Sequence, residues 1–246
     1  MELTISQASL ATLARQTDVS LYRRVLHQLD PHRFEALGEA HTVAFIRHAL
    51  DRCDAWSLGM TNEAAYVLFL MTQLGSFFFE DPRYVQIAAP LLQDPGPVDR
   101  RVESARERFI AYGDRHYGGA YEARHRALRQ LSARLGEFEL PSCDPWQVAQ
   151  TLVDLEARDE GLEALVERAH AAARELGMAV PLGEKLCVLL VYWLGWGVTM
   201  DPLFPWLRDL AAREGEPADA VARRLASAAK KRFYRRMAAI AATEAS

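Results

Sequence analysis

Lysine is nearly missing from this chain: three lysines stand against 26 arginines among 246 residues. That skew fits a GC-rich genome and need not reflect function. Cysteine is scarce too. Cys53, Cys143 and Cys187 are odd in number, far apart and without a Cys-x-x-Cys, which excludes a zinc ribbon, a thioredoxin-like motif and a disulfide scaffold. Odd, unclustered thiols suit a reducing, cytoplasmic location. Cys187 lies in an apolar run and reads as a small buried hydrophobe. Long apolar runs are lacking as well. The longest uncharged stretches, Ala64 to Phe79 and Leu186 to Met200, have 16 and 15 residues. A spanning helix needs about 20, and each stretch holds a glycine, so both read as core helices and no membrane span is expected. The first residues show no basic segment ahead of an apolar one, so no secretory signal is expected. Strand alternation and Asn-Gly or Asp-Gly hairpin signals are also absent.

Half of the residues are hydrophobic, a quarter are charged, and the net charge is −4. A chain this long buries roughly 70–75% of its unfolded surface, so it needs no metal or disulfide to hold a core. The acidic balance argues against a general nucleic-acid binder. The charge is uneven, however. Residues 223–236 carry Arg223, Arg224, Lys230, Lys231, Arg232, Arg235 and Arg236 with no acid, a net +7, while 126–222 carry a net −7.

Apolar spacing and helix punctuation predict helices over about 6–16, 18–29, 33–57, 62–75, 82–93, 98–117, 120–135, 145–158, 160–176, 183–195, 202–213 and 218–240. Asp-Pro recurs at residues 30, 81, 94, 144 and 201. Aspartate accepts from orphan N–H groups, and proline at the first helical position loses no hydrogen bond, so each pair reads as a helix start. Thr61 is a further cap.

The sequence resembles itself. Leu58-Gly59-Met60 recurs as Leu176-Gly177-Met178, 118 residues on. After two extra residues, Leu70, Leu74, Gly75, Asp81, Pro82, Tyr84 and Ile87 match Leu190, Leu194, Gly195, Asp201, Pro202, Phe204 and Leu207 at a spacing of 120. The expected architecture is all-α: two related multi-helix units from a tandem duplication, packed as a bundle-like protein. Unit one spans 1–118, a connecting helix or linker 119–139, and unit two 140–246 with the basic last helix. Trp193, Trp196 and Trp206 sit near the central helix of unit two and read as core or inter-unit packing, with an exposed docking patch as the alternative.

Catalytic signatures are missing: no G-x-S-x-G, H-E-x-x-H, Walker A or kinase motif occurs. Gly195-x-Gly197 lacks a third glycine and follows a helix. His41 and His48, with Phe45 between them, are seven residues apart, about 10 Å along a helix, too far to chelate one ion. His116 and His125 flank Gly118-Gly119 without further ligands. Glu80-Asp81, Asp159-Glu160 and Glu35/Glu39 are the densest carboxylates; the first includes a cap, and the last lies near Arg33, Arg47 and His41. Glu167-Arg168-Ala169-His170 is a lone Glu-x-x-His, where a bundle di-metal site needs a pair. Residues 230–236 interleave bases with Phe233 and Tyr234; these aromatics read as a core-facing anchor, with single-strand stacking as the alternative.

The stretch from Phe34 to Leu92 holds Ala36-Leu37-Gly38-Glu39, Ile46-Arg47-His48, Gly59-Met60-Thr61, Leu74-Gly75 and Asp81-Pro82, and a later Asp201-Pro202-Leu203-Phe204-Pro205-Trp206 follows. In this it resembles small helical proteins encoded beside type VI secretion spike and effector genes in Gram-negative bacteria. It departs from them in lacking a Pro-Trp after the first Asp-Pro and in its length. The resemblance implies a cytoplasmic accessory, adaptor or immunity protein that binds a secreted effector or spike-associated protein. No catalytic residue, cofactor or metal is expected. Contact is expected through Arg223, Arg224, Lys230, Lys231, Arg232, Arg235, Arg236, Trp196 and Trp206. The alternatives are a helical metal-dependent enzyme at Glu167 and His170, and a nucleic-acid-binding regulator acting through the basic last helix.

Overall fold

A computed structural model of the chain describes residues 7–58, 62–93, 95–117, 144–155, 161–211 and 215–244. The expected linker over 119–139, the Thr61 cap, Asp94, His125, Cys143 and the Asp159-Glu160 pair lie outside them. Among the described residues every regular element is helical, as the spacing predicts. None of these helices is long and apolar enough to cross a membrane.

The first half holds α1 (Gln7–Leu29), α2 (Pro31–Leu37), α3 (Glu39–Ala55), α4 (Asn62–Leu74), a single 3-10 turn (Pro82–Tyr84) running into α5 (Val85–Gln93), and α6 (Val98–Tyr117). The second holds α7 (Pro145–Leu155), α8 (Leu162–Glu175), α9 (Pro181–Leu194), α10 (Trp206–Ala211) and α11 (Ala218–Glu244). Three boundaries differ from the sequence expectation, the third being the late opening of α10 at Trp206 in place of 202. α1 runs unbroken where two helices were predicted. The predicted 33–57 helix breaks at Gly38, whose φ of +80° suits a residue without a β-carbon.

Asp-Pro works as a cap at three places. Asp30 accepts from the Arg33 N–H at 3.1 Å and Asp81 from the Arg83 N–H at 3.0 Å. Asp144 and Gln147 form a reciprocal capping box at 2.8 and 3.0 Å. Asp201-Pro202 departs from this, since the next helix opens only at Trp206. Its carboxylate accepts from the Leu203 N–H at 2.9 Å and, across the molecule, from the N–H and hydroxyl of Ser76 at 2.8 and 2.5 Å.

The buried apolar side chains of both halves form one core, from Phe34, Phe45, Ile46, Leu70 and Phe78 to Leu186, Val188, Leu190, Leu207 and Phe233. Full burial of each such side chain is worth roughly 1.5–3 kcal/mol. Cys53 and Cys187 are buried within it.

Several landmarks of the two halves recur at a spacing of 120 residues. Two residues past the end of α3 stands Ser57 at φ +53°, and two past the end of α8 stands Gly177 at φ +68°. Beyond each, Leu58 donates to the Cys53 carbonyl at 2.9 Å and Met178 to the Ala173 carbonyl at 2.8 Å. Both are helix ends closed by one left-handed residue. Their spacing is 120, not the 118 obtained by matching Leu-Gly-Met to Leu-Gly-Met. Like letters had aligned unlike positions, because serine occupies the left-handed site in the first half. The spacing of 120 continues at Leu74 and Leu194, which end α4 and α9, and at Val98 and Ala218, which open α6 and α11.

The halves touch at equivalent positions. Gly75 and Gly195 have φ of +96° and +112°. A β-carbon on Gly75 would lie 2.8 Å from the Leu194 oxygen, and one on Gly195 would lie 3.1 Å from the Leu74 oxygen. Only glycine fits this crossing twice over. Two residues on, the Phe77 ring occupies the space over Gly197, where a β-carbon would meet it at 2.1 Å. Arg83 grips Asp81 and also donates to the Tyr192 and Val191 carbonyls at 2.8 and 3.2 Å. Arg33 donates to the Thr72 carbonyl at 2.7 Å. The last turns of α4 and α9 thus each give a carbonyl to an arginine, which satisfies acceptors that helix ends leave open.

Candidate partner-binding groove

Beside this seam lies a groove of about 520 Å³. The first half supplies Asp30, His32, Arg33, Ala36, Leu37 and His41, from α2 and the start of α3. The second supplies the end of α9, the loop Leu203-Phe204-Pro205, Trp206 and Asp209 of α10, and Arg232 and Arg235 of α11.

The wall follows from helical spacing on α11. Phe233 is buried and packs edge-on against Trp193, with ring centres 4.5 Å apart. That anchor fixes the rotation of the helix and leaves 232 and 235, three apart, on a neighbouring face. The Arg232 guanidinium lies over the Trp206 ring at 4.4 Å, a cation–π contact. Burial, and then the charge of Arg235, lower its affinity for its proton. Neither arginine meets a carboxylate among the described residues. Arg33 lies 5.7 Å from the Phe204 ring centre on the opposite side.

The expected contact residues therefore divide. Arg232, Arg235 and Trp206 converge on the groove. Arg223 is exposed at the far end of the helix beside Asp219. Arg224 is structural: it pairs with Glu216 and donates to the Leu210 carbonyl at 2.9 and 2.6 Å, closing α10. Lys230 is half-buried and Lys231 exposed, and the Arg236 side chain lies outside the described set. Trp196 is half-buried against the core, away from the groove, and its carbonyl accepts from Arg168 at 2.7 Å. Trp193 also packs on the core, as expected for these tryptophans. Tyr234 is 43% exposed, so only Phe233 of the two aromatics faces inward.

The other candidates lead elsewhere. Among the described residues no three His, Cys, Asp or Glu side chains are placed to hold a metal. His170 Nε2 is 4.0 Å from a Glu184 oxygen, and Glu167 does not complete a set. His48 packs on Phe77 at 5.0 Å, and burial, then Arg52, lower its pKa. His116 packs on Tyr112 at 4.6 Å. Glu39 pairs with Arg23. Burial pushes the Cys53 thiol up to about 12 and raises Cys187 as well, so neither is a ready thiolate. Glu175 is held below its usual range, since Arg168 and Thr199 outweigh the effect of its burial. It braces α8 against the 196–200 turn.

Sequence reasoning missed the first-half wall: His32, Arg33, Ala36 and Leu37. Ala36 and Leu37 stand out only as part of the resemblance motif and Arg33 only as a neighbour of Glu35 and Glu39; nothing local marks them as a wall, because only the seam brings α2 to the loop before α10. Comparison of the chain with protein-family models, with curated proteins and with solved structures returned no match.

Proposed function

We propose that this chain is a non-catalytic binding protein that seats a protein partner in the groove. We further propose that it serves a type VI secretion effector or spike component as an accessory, adaptor or immunity protein. One observation carries the binding reading: both halves build a single groove that combines an aromatic wall with two arginines lacking a carboxylate partner among the described residues. Apolar pockets with a few convergent polar groups are where ligands bind. The resemblance over 34–92 supplies the secretion context. The split between −7 over 126–222 and +7 over 223–236 favours orientation and rate of encounter more than raw affinity.

The two halves are read as copies of one helical unit. In support stand the spacing of 120 shared by several helix ends and the contact of Gly75 with Gly195. In that reading α4 and α9 hold matching places in their own units and meet where they end, at Gly75 and Gly195.

Co-expression with each neighbouring gene product tests the function. Rescue of growth from a toxic neighbour makes the chain an immunity protein. A stable complex without rescue makes it an adaptor. Recovery of no neighbouring product by affinity capture from the native host overturns the reading.

A further inference from the structure

Resting on that reading, we propose that the groove takes an acidic segment of the partner, with one carboxylate held between Arg232 and Arg235 and an adjacent apolar side chain against the aromatic wall. The Arg232 guanidinium lies over the Trp206 ring, 4.4 Å from its centre, a contact that holds it at the groove wall. A guanidinium fixed in that way suits bidentate contact with a carboxylate. Arg235 lies one turn on and disfavours the charge of Arg232, a repulsion that an anion between them would reverse. The opposite wall is apolar at Ala36, Leu37, Leu203 and Pro205.

The acids on the wall define the specificity. Asp30 is engaged as the α2 cap. Asp209 stands on α10 and opposes a second carboxylate. The site therefore selects one acid beside an apolar residue over a polyacidic run. A volume of about 520 Å³ admits a few side chains of an extended segment rather than a folded surface. A nucleic-acid strand fits poorly, since stacking needs free aromatic faces, Phe233 is buried and one face of Trp206 carries Arg232.

Selection of a displayed random-peptide library on the full chain tests this, followed by fluorescence anisotropy with the best peptide. Enriched sequences should pair Asp or Glu with a neighbouring apolar residue. Affinity should fall at least tenfold in R232E/R235E, and likewise when the peptide acid becomes its amide, while R223E leaves it unchanged. Circular dichroism checks folding, and R232Q/R235Q serves in place of a charge reversal that unfolds the chain. Neutral or basic winners overturn the inference, as does binding that R232Q/R235Q leaves intact. Displacement of the peptide by a single-stranded oligonucleotide overturns it too. A secretion-locus partner that binds R232Q/R235Q as tightly as wild type ends this inference and leaves the broader reading standing. Acidic peptides that bind while no locus product does have the reverse effect.

Discussion

The segment 75–84 of the first half and the segment 195–206 of the second follow one backbone plan and wire it differently. Each leaves an apolar helix through a left-handed glycine, turns over five residues and reaches Asp-Pro. In the first half Asp81 has its own arginine two residues on, and Arg83 reaches over to the carbonyls of α9. In the second half the matching position is Leu203, and Asp201 reaches over to Ser76 instead. One side gives the seam a guanidinium and the other a carboxyl group. Equal chain paths thus carry unequal polar contacts, and the junction has a direction.

The severest challenge to this comparison is Arg83→Ala. It strands the fully buried carboxylate of Asp81 and two carbonyls, and should cost about 3–5 kcal/mol in urea unfolding. A loss below 1 kcal/mol would mean that the seam does not depend on the cation. Gly75→Ala comes next. It combines φ of +96° with a 2.8 Å approach to a backbone oxygen, and should cost roughly 3 kcal/mol, more than Gly195→Ala, whose nearest contact is 3.1 Å. The reverse order would break the steric account of the crossing.

Asp201→Asn sharpens the electrostatic half. Burial raises the Asp201 pKa above its ordinary 3.8, against the pull of Ser76, Leu203 and Arg33. The folded state therefore holds this proton more tightly than the unfolded chain. The associated stability is full at low pH and declines as pH rises through the folded pKa. The Asn variant should lose about 1 kcal/mol, with a flatter stability profile than wild type as pH rises above the ordinary aspartate value of 3.8. A wild-type stability that climbs relative to the variant over that range would contradict the assigned direction. The smallest effect is at the helix ends: Ser57→Gly should stabilise by about 0.5 kcal/mol by relieving a left-handed serine, while Gly177→Ser should destabilise. Thermal melts of the pair settle whether the two turns are equivalent.

Much of the fold was legible because its signals are local. Asp30 and Asp144 cap helices as their Asp-Pro pairs promised, and α6 spans the predicted 98–117. The Gly38 break was not legible, since an apolar pattern continues through it from Phe34 to Phe45. Nor was the second task of Asp201, because its partner lies 125 residues away. The groove was half legible. The base-rich run drew attention to α11, but burial of Phe233 decides which arginines face the cavity, and rotation about a helix axis is a tertiary quantity. Arg223 and Arg224 share the composition of Arg232 and Arg235 and spend it on Asp219 and Glu216.

The phenyl group of Phe77 above Gly197 has a wider consequence for assembly. Two first halves brought together in this manner would force a pair of rings into the volume of one, and two second halves would leave it vacant. Pairing of like halves between neighbouring polypeptides is therefore penalised by shape alone, whereas a first half set on the second half of another chain would keep the native fit.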